Sequence, residues 1–282
     1  VAVTKQRIVT KGYGVNQKTL RRVDKPQFAI VVPSCNRIIM PYKLLVSIRK
    51  FMSQYFDFKC VFVIYNGDKA DSLVGVLDEM RSAFGWSEQL YYTTTDRMCV
   101  GEARNIGINY AVDHFQKTDY IMSCDDDCEI ATRNCVWHLL DVFKKYNNVG
   151  VVGSIGGAAA RWHTAGAKPY VSQTVGGTLM VFKPSLVQHI GNFDSKLEVH
   201  EDIDFTLRAT IAGYVNYKVP EAKILHLGYF DGGIERDVSM LARSAAVLCE
   251  KYGSCVSVKV GKNNKFMLRT KDIEALRGKT WK

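Results

Sequence analysis

The sequence predicts an α/β fold built on one mostly parallel sheet with flanking helices, and two observations predict it. From Phe28 onward, short β-branched or apolar runs alternate with stretches of helical periodicity, the pattern of βαβ units. Three consecutive carboxylates, Asp125, Asp126 and Asp127, then follow one of those runs, at the point where a strand leaves the sheet. With 282 residues, 47% of them hydrophobic and 23% charged, the chain is long and apolar enough to bury a proper core.

Taken in order, residues 28–32 (Phe-Ala-Ile-Val-Val) read as a buried strand ended by Pro33. Leu44, Leu45, Ile48, Phe51 and Met52 recur at helical spacing, and residues 60–64 form a second strand closing at Asn66-Gly67. A helix over about 73–84 leads to a strand at 89–93, and a helix over 101–115 leads to the strand 120–123 and the acidic triplet. Val136, Leu139, Leu140 and Phe143 mark the next helix, and the strand 149–152 runs into the glycine-rich stretch 153–157. Residues 158–176, with Arg161, Trp162, His163 and Gly166, lack periodicity and read as a long loop. A strand near 177–182, a helix over 203–212 stopped by Gly213, a strand over 222–227 and a helix over 238–252 complete the body. No repeat or linker divides it, so the expectation is a single domain over 26–258 with basic extensions at 1–25 and 259–282.

Those extensions carry nearly all the charge. Residues 1–25 hold seven Lys or Arg against Asp24, and residues 259–282 hold eight against Asp272 and Glu274, so each end is +6 and the middle is −2 of the total +10. Two basic ends on a near-neutral body suit contact with a polyanion such as nucleic acid, although solvated basic tails are as common and no nucleic-acid-binding motif accompanies them. The eight cysteines form no paired Cys-x-x-Cys set and fall largely in apolar runs, so they read as reduced and structural. Cys124 and Cys128 flank the triplet without the further Cys or His that a zinc site wants. No apolar run approaches the roughly 18 residues of a membrane span, and no leader pattern is present. A cytoplasmic protein is expected.

Three adjacent carboxylates repel one another unless a cation or proton sits among them. At the carboxyl end of a strand in an open α/β sheet, where loops converge and ligands bind, that repulsion points to a divalent-metal site rather than a solvated acidic turn. A second cluster, Glu201, Asp202 and Asp204, opens the 203–212 helix directly after His200. Helix-dipole stabilisation accounts for part of that placement without any function.

The order of these segments resembles the GT-A glycosyltransferases, particularly the large family 2-like group. Val32-Pro33-Ser34-Cys35-Asn36-Arg37 is similar to that group's first-strand segment, usually Pro-Thr-Tyr-Asn-Arg, and residues 101–107 (Gly-Glu-Ala-Arg-Asn-Ile-Gly) to its Ala-Arg-Asn-x-Gly helix. Asp125-Asp126-Asp127 resembles its Asp-x-Asp motif, and Gly-Asn-Phe-Asp at 191–194 followed by His-Glu-Asp-Ile-Asp at 200–204 its Gly-x-Phe-Asp and Glu-Asp segments. Five motifs in the family's order extend over about residues 28–230. The resemblance implies a Rossmann-like GT-A fold and a metal-dependent hexosyl- or pentosyltransferase.

It also implies site residues. Asp125, Asp127 and the late His226 would hold Mn2+ or Mg2+, which neutralises a leaving nucleotide diphosphate. Pro33, Ser34, Asn36, Arg37, Tyr65, Asn66, Arg104, Asp125, Asp126 and Gly177 would serve the nucleotide-sugar donor, Arg104 by steadying either the donor phosphates or the acidic loop. Asp202 is the first candidate for general base on the acceptor hydroxyl, with Glu201 the alternative; a core histidine is the rival reading of His226. A UDP-sugar is the family's usual donor, but Tyr65 stands where the group has the aspartate that recognises uracil, and Asp68 is no assured substitute.

Two rival classes remain at this stage. A nucleotidyltransferase would show a glycine-rich basic signature after the first strand, which 33–37 lacks. A catalytically inactive sugar-nucleotide binding module would not need ligands and a base together. On the acceptor side, the basic ends admit a hydroxymethylated base in DNA, as in phage-type DNA modification; glycans, lipid-linked glycans and proteins are the other acceptors. A single carboxylate base at Asp202 suits inversion at the anomeric carbon.

Overall fold

The structure is a computed structural model and describes residues 25–65, 67, 69–95, 98–155, 167–227, 238–260 and 266–277. Outside the described residues lie most of the N-terminal basic stretch, Asn66, Asp68, the end of the glycine-rich run, and Arg161, Trp162, His163 and Gly166.

The chain starts in β1 (Gln27–Ser34), crosses over through α1 (Ile39–Phe51) to β2 (Asp57–Tyr65), and through α2 (Ala70–Phe84) to β3 (Leu90–Thr95). A third helix, α3 (Val100–His114), brings it back to β4 (Tyr120–Cys124), which pairs with β1 on the side away from β2. The order β3-β2-β1-β4 is therefore parallel throughout. Pro33 does not end β1 as expected; the strand pairs with β2 as far as Ser34 opposite Ile64. The pairing of β1 with β4 stops at Val31. Pro33 thus lies where β1 is paired on one side only, and a residue without an N–H is tolerated there.

After β4 come β5 (Cys128–Ile130), α4 (Cys135–Lys145), β6 (Val149–Ser154), β7 (Tyr170–Val171), β8 (Leu179–Phe182), α5 (Pro184–Ile190), α6 (Glu201–Ile211), β9 (Val215–Val219), β10 (Ile224–His226) and α7 (Val238–Tyr252). Strand β8 runs antiparallel to both β4 and β6, and the sheet continues β4-β8-β6-β9-β7. The sheet is mostly parallel, with β8 and β7 reversed. Several elements escaped the sequence reading because they are short or polar, among them three-residue β5, β7 inside the expected 158–176 loop, seven-residue α5, begun by Pro184 at its first turn, and β9, which carries Asn216 and Lys218.

Alternation along β1 shows how the layers form. Phe28, Ile30 and Val32 join the core under α1, α2 and α4, while Ala29 and Val31 join the one under α3 and α6. Both faces are covered, so the strand reads as an unbroken apolar run. Helix α3 lies very close to the sheet: a Cβ on Gly107 would fall 2.5 Å from Val31 Cγ1. That closeness brings Arg104, one turn earlier, under the sheet's carboxyl edge.

Beyond α7, β11 (Val256–Val260) and β12 (Phe266–Thr270) form an antiparallel hairpin, followed by a 3-10 turn at Ile273–Leu276. Ile273 and Leu276 are buried against Leu207 and Ile211 of α6 and Leu248 and Tyr252 of α7. The stretch expected as a C-terminal extension is at these points part of the folded body.

Candidate active site

The acidic triplet forms the turn between β4 and β5, with the Asp125 N–H donating to Thr178 O and the Cys128 N–H to Asp125 O. Its three side chains have three different surroundings. Asp126 points back into the protein and is 3% exposed; Ser34 Oγ donates to its Oδ2 (2.7 Å) and Arg37 Nη1 to its Oδ1 (2.5 Å). Burial raises its carboxyl to about 6 against the pull of Arg37 and Ser34. The same Arg37 nitrogen lies 3.0 Å from Asp127 Oδ2. Burial disfavours the Arg37 charge, but Asp126 and Asp127 outweigh it and hold the guanidinium more firmly protonated than usual.

Asp125 is the more open of the other two, half-buried, whereas Asp127 is 4% exposed. Antiparallel pairing of β10 with β5 sets His226 opposite Cys128, and the Leu227 N–H donates to Asp127 O, so the register alone carries His226 to the triplet. His226 Nε2 lies 3.2 Å from Asp127 Oδ1, a buried oxygen that receives no well-aligned hydrogen bond. That contact raises His226; burial opposes the Asp127 charge, yet His226 and Arg37 bring its carboxyl below the usual range. One donor atom each from Asp125, Asp127 and His226 lies within 4.8 Å of the other two. A buried, unsatisfied carboxylate oxygen with an imidazole and a second carboxylate around it is a donor set that fits a divalent cation.

Arg104 joins this turn to the second acidic cluster. Its guanidinium is 1% exposed, with Nη1 donating to Ser123 Oγ (2.5 Å), Nη2 to Asp125 Oδ1 (2.6 Å) and Nε to Glu201 Oε1 (3.3 Å). A Cβ on Gly177 would come within 2.8 Å of Arg104 Nη2, so glycine is the residue that lets the chain pass over the guanidinium. Glu201, 5% exposed, is pushed up to about 7 by burial and by Asp202, against Arg104. Asp202 is half-buried; the Gly177 N–H donates to its Oδ2 (2.6 Å) and the Ile203 N–H to its Oδ1 (2.8 Å). Asp204 faces the other way, fully buried among Lys251, Arg208 and Tyr252, and anchors α6 to α7.

The structure therefore gathers Ser34, Arg37, Arg104, Asp125, Asp126, Asp127, Gly177, Glu201, Asp202 and His226 at one edge of the sheet. Asn36 adopts a left-handed backbone (φ 52°) and its Oδ1 accepts from the Lys69 N–H, so it faces the turn after β2. Pro33 and Tyr65 are buried, Tyr65 at 3% with its ring in the α3-side core, leaving no ring face to stack on a base. Ser123, which holds Arg104, and Lys218, whose ammonium feels the Asp202 charge, were not singled out in the sequence. Neither belongs to a motif; the one signal was the alternation of Asn216 and Lys218 in an otherwise apolar strand.

Residues 29–178, just over half of the chain, match the family model described as glycosyl transferase family 2. No curated protein matches the sequence. Among solved structures, GalNAc-T7 with UDP, GalNAc and Mn2+ superimposes at a TM-score of 0.62 and 16% identity, covering 80% of this chain and 48% of that one. The mannosyltransferase PcManGT from Pyrobaculum calidifontis in complex with GDP-Man and Mn2+ gives 0.59 and 17%, covering 82% and 64%. The 1–349 form of S. aureus TarS gives 0.55 and 17%, covering 79% and 65%. The chain thus spans about half to two thirds of the structures it resembles, and at these identities the likeness is one of fold.

Proposed function

This chain belongs to glycosyl transferase family 2 and has the GT-A fold, and from that premise we propose that it transfers a sugar from a nucleotide-sugar donor to an acceptor hydroxyl with the help of Mn2+ or Mg2+. The observation that carries the reading is the convergence of Asp125, Asp127 and His226 around a buried, unsatisfied oxygen. A divalent cation held there supplies positive charge for the diphosphate that leaves. The chain's own residues do the rest. Arg37 and Ser34 fix Asp126, and through it the turn, so that Asp125 and Asp127 keep their aim without closing on each other. Arg104 acts on the acidic loop rather than on the donor, because its guanidinium is enclosed.

Asp202 is the base in this reading. Its two backbone N–H donors hold both oxygens, and each oxygen keeps a further lone pair for the acceptor's proton. Glu201 is the weaker candidate, since it is buried beneath Arg104.

The donor nucleotide is open between uridine and guanosine: one neighbour was solved with UDP and another with GDP-Man, and Tyr65 offers no ring face to either base. For the acceptor, the +6 at each end supports a polyanion, with a hydroxymethylated base in DNA as the first to test. The DNA arm is an electrophoretic shift across a salt series: a log-log slope of roughly −0.9 per phosphate contacted supports it, and a flat response removes it in favour of a glycan, lipid-linked or protein acceptor.

The central experiment is thermal stabilisation by UDP- and GDP-sugars with and without Mn2+. One nucleotide sugar is expected to raise Tm only with metal, and Asp127→Ala to abolish that metal dependence. Asp202→Asn should bind the same donor and transfer nothing, which separates an enzyme from a binding module. Transfer by Asp202→Asn at the parent rate would overturn the base assignment, and the absence of any metal-dependent shift across the panel would overturn the metal site.

A further inference from the structure

Strand β9 and helix α6 are joined by the turn at 212–214 and run past each other in opposite directions. Asn216 fixes their relative height: its Nδ2 donates to Thr206 O (2.8 Å) and to Thr210 Oγ1 (3.0 Å). Side chains two apart on a strand share a face, so Lys218 faces α6 like Asn216, about 6.6 Å nearer the sheet's carboxyl edge. Four residues of helix cover about 6 Å, so stepping back from Thr206 and Thr210 sets Lys218 level with the turn of α6 from Asp202 to Thr206, and its long side chain runs on toward Asp202.

The segment before β8 gives the same spacing independently. The Val175 N–H donates to Thr206 Oγ1 and the Gly177 N–H to Asp202 Oδ2, again two residues of extended chain against four of helix. Gly153 of β6 and Tyr170 of β7 stand opposite Lys218 on either side. The glycine admits the Val175 side chain, whose Cγ1 would overlap a Cβ placed there.

We infer that Lys218 is a positioning residue for the reaction: its ammonium is the counter-charge of the Asp202 carboxylate, as Arg104 is that of Glu201. The inference rests on Asp202 being the base. Burial lowers the lysine and the Asp202 charge raises it. The Lys218 ammonium forms no hydrogen bond or close ion pair among the described residues, so its charge acts on Asp202 without a direct contact. The other titratable groups of this corner are Glu201 on α6, Arg104 on α3, Asp125 in the turn after β4 and Tyr170 on β7. In the transfer step the acceptor hydroxyl gives its proton to Asp202, and its oxygen bonds to the anomeric carbon. The bond from that carbon to the diphosphate oxygen breaks, and its electron pair leaves on the diphosphate. Lys218 keeps its proton throughout, and its positive charge favours the ionised form of the carboxylate that the Gly177 and Ile203 N–H groups hold in place.

Two measurements test this. In the first, the pH dependence of kcat/KM is compared among the parent, Lys218→Met and Lys218→Arg. The acid limb is expected to move up by about one pH unit in Lys218→Met, the size expected for removing a nearby opposite charge, and to return in Lys218→Arg. The second needs no turnover: acylation of Lys218 is followed by peptide mass spectrometry against pH in the parent and in Asp202→Asn. Loss of the counter-charge should move the onset of Lys218 reactivity down by about one unit. If that onset does not move, the pairing is wrong. If it moves while the kcat/KM profile of Lys218→Met matches the parent, the pairing is structural only and the positioning role is wrong. A parent protein with no transferase activity overturns the proposed function, while the acylation profile still decides the pairing.

Discussion

Arg104 serves two buried or partly buried carboxylates and a buried hydroxyl with one guanidinium. Replacing it with methionine would leave Asp125, Glu201 and Ser123 without their common donor. Because breaking a buried pair strands the remaining charge, Arg104→Met should cost about 3–5 kcal/mol, read as a lower urea midpoint. Arg104→Lys should recover only part, since one ammonium cannot copy the spread of a planar guanidinium. Glu201 yields a pH prediction. With its carboxyl raised from 4.5 to about 7 by burial and Asp202, the folded protein keeps a proton that the unfolded chain has already released. This contribution to stability is complete below the unfolded value and disappears as pH rises through about 7. Chemical denaturation of the parent and Glu201→Gln across that window should show the parent losing ground to the variant as pH rises.

At the scale of elements, α3 packs very closely on β1. Gly107→Ala would place a methyl group 2.5 Å from Val31 Cγ1, so the helix must shift and carry Arg104 with it. Overpacking of this kind costs about 1–3 kcal/mol, and thermal unfolding should show it together with a weakened metal-dependent shift. The central strands and the long helices were legible in the chain because each has a face or two faces in the core, and burial imposes a period. Strand β10 falls within the expected strand 222–227, but its partner β5, three residues long, is too short for a period, and the importance of the pair lies in a register that sets His226 against Asp127. Strand β9 is legible only afterwards, because Asn216 and Lys218 are polar for reasons that belong to α6. Helix α5 was missed for its length. Pro33 misled because its effect depends on whether a strand has a neighbour on each side.

At the scale of the whole fold, three buried clusters among the described residues hold it together, one on each face of the sheet and one between α6, α7 and the C-terminal 3-10 turn. The third is the smallest and depends on Ile273, which is fully buried. Ile273→Ala should therefore cost about 2–5 kcal/mol, seen as a fall in the urea midpoint, and a chain ending at Thr270 should lose at least as much. No helix among the described residues is long and apolar enough to cross a membrane. Motif identity and order, the α/β class and the carboxyl-edge location of the triplet were all readable along the chain, because each depends on residues near one another in sequence. The partnerships were not. Ser34 meets Asp126 across 92 positions and Arg104 meets Glu201 across 97, while His226 reaches Asp127 through strand register and Lys218 comes level with the turn of α6 from Asp202 to Thr206 through the pitch of a helix against that of a strand. Such meetings are set by how elements stack, and only the folded core decides the stacking. That is why the chain alone announces an acidic turn at a strand end, and the tertiary structure decides that Asp126 turns inward, that Tyr65 is core, and that Glu201 lies against Arg104 while backbone N–H groups hold Asp202.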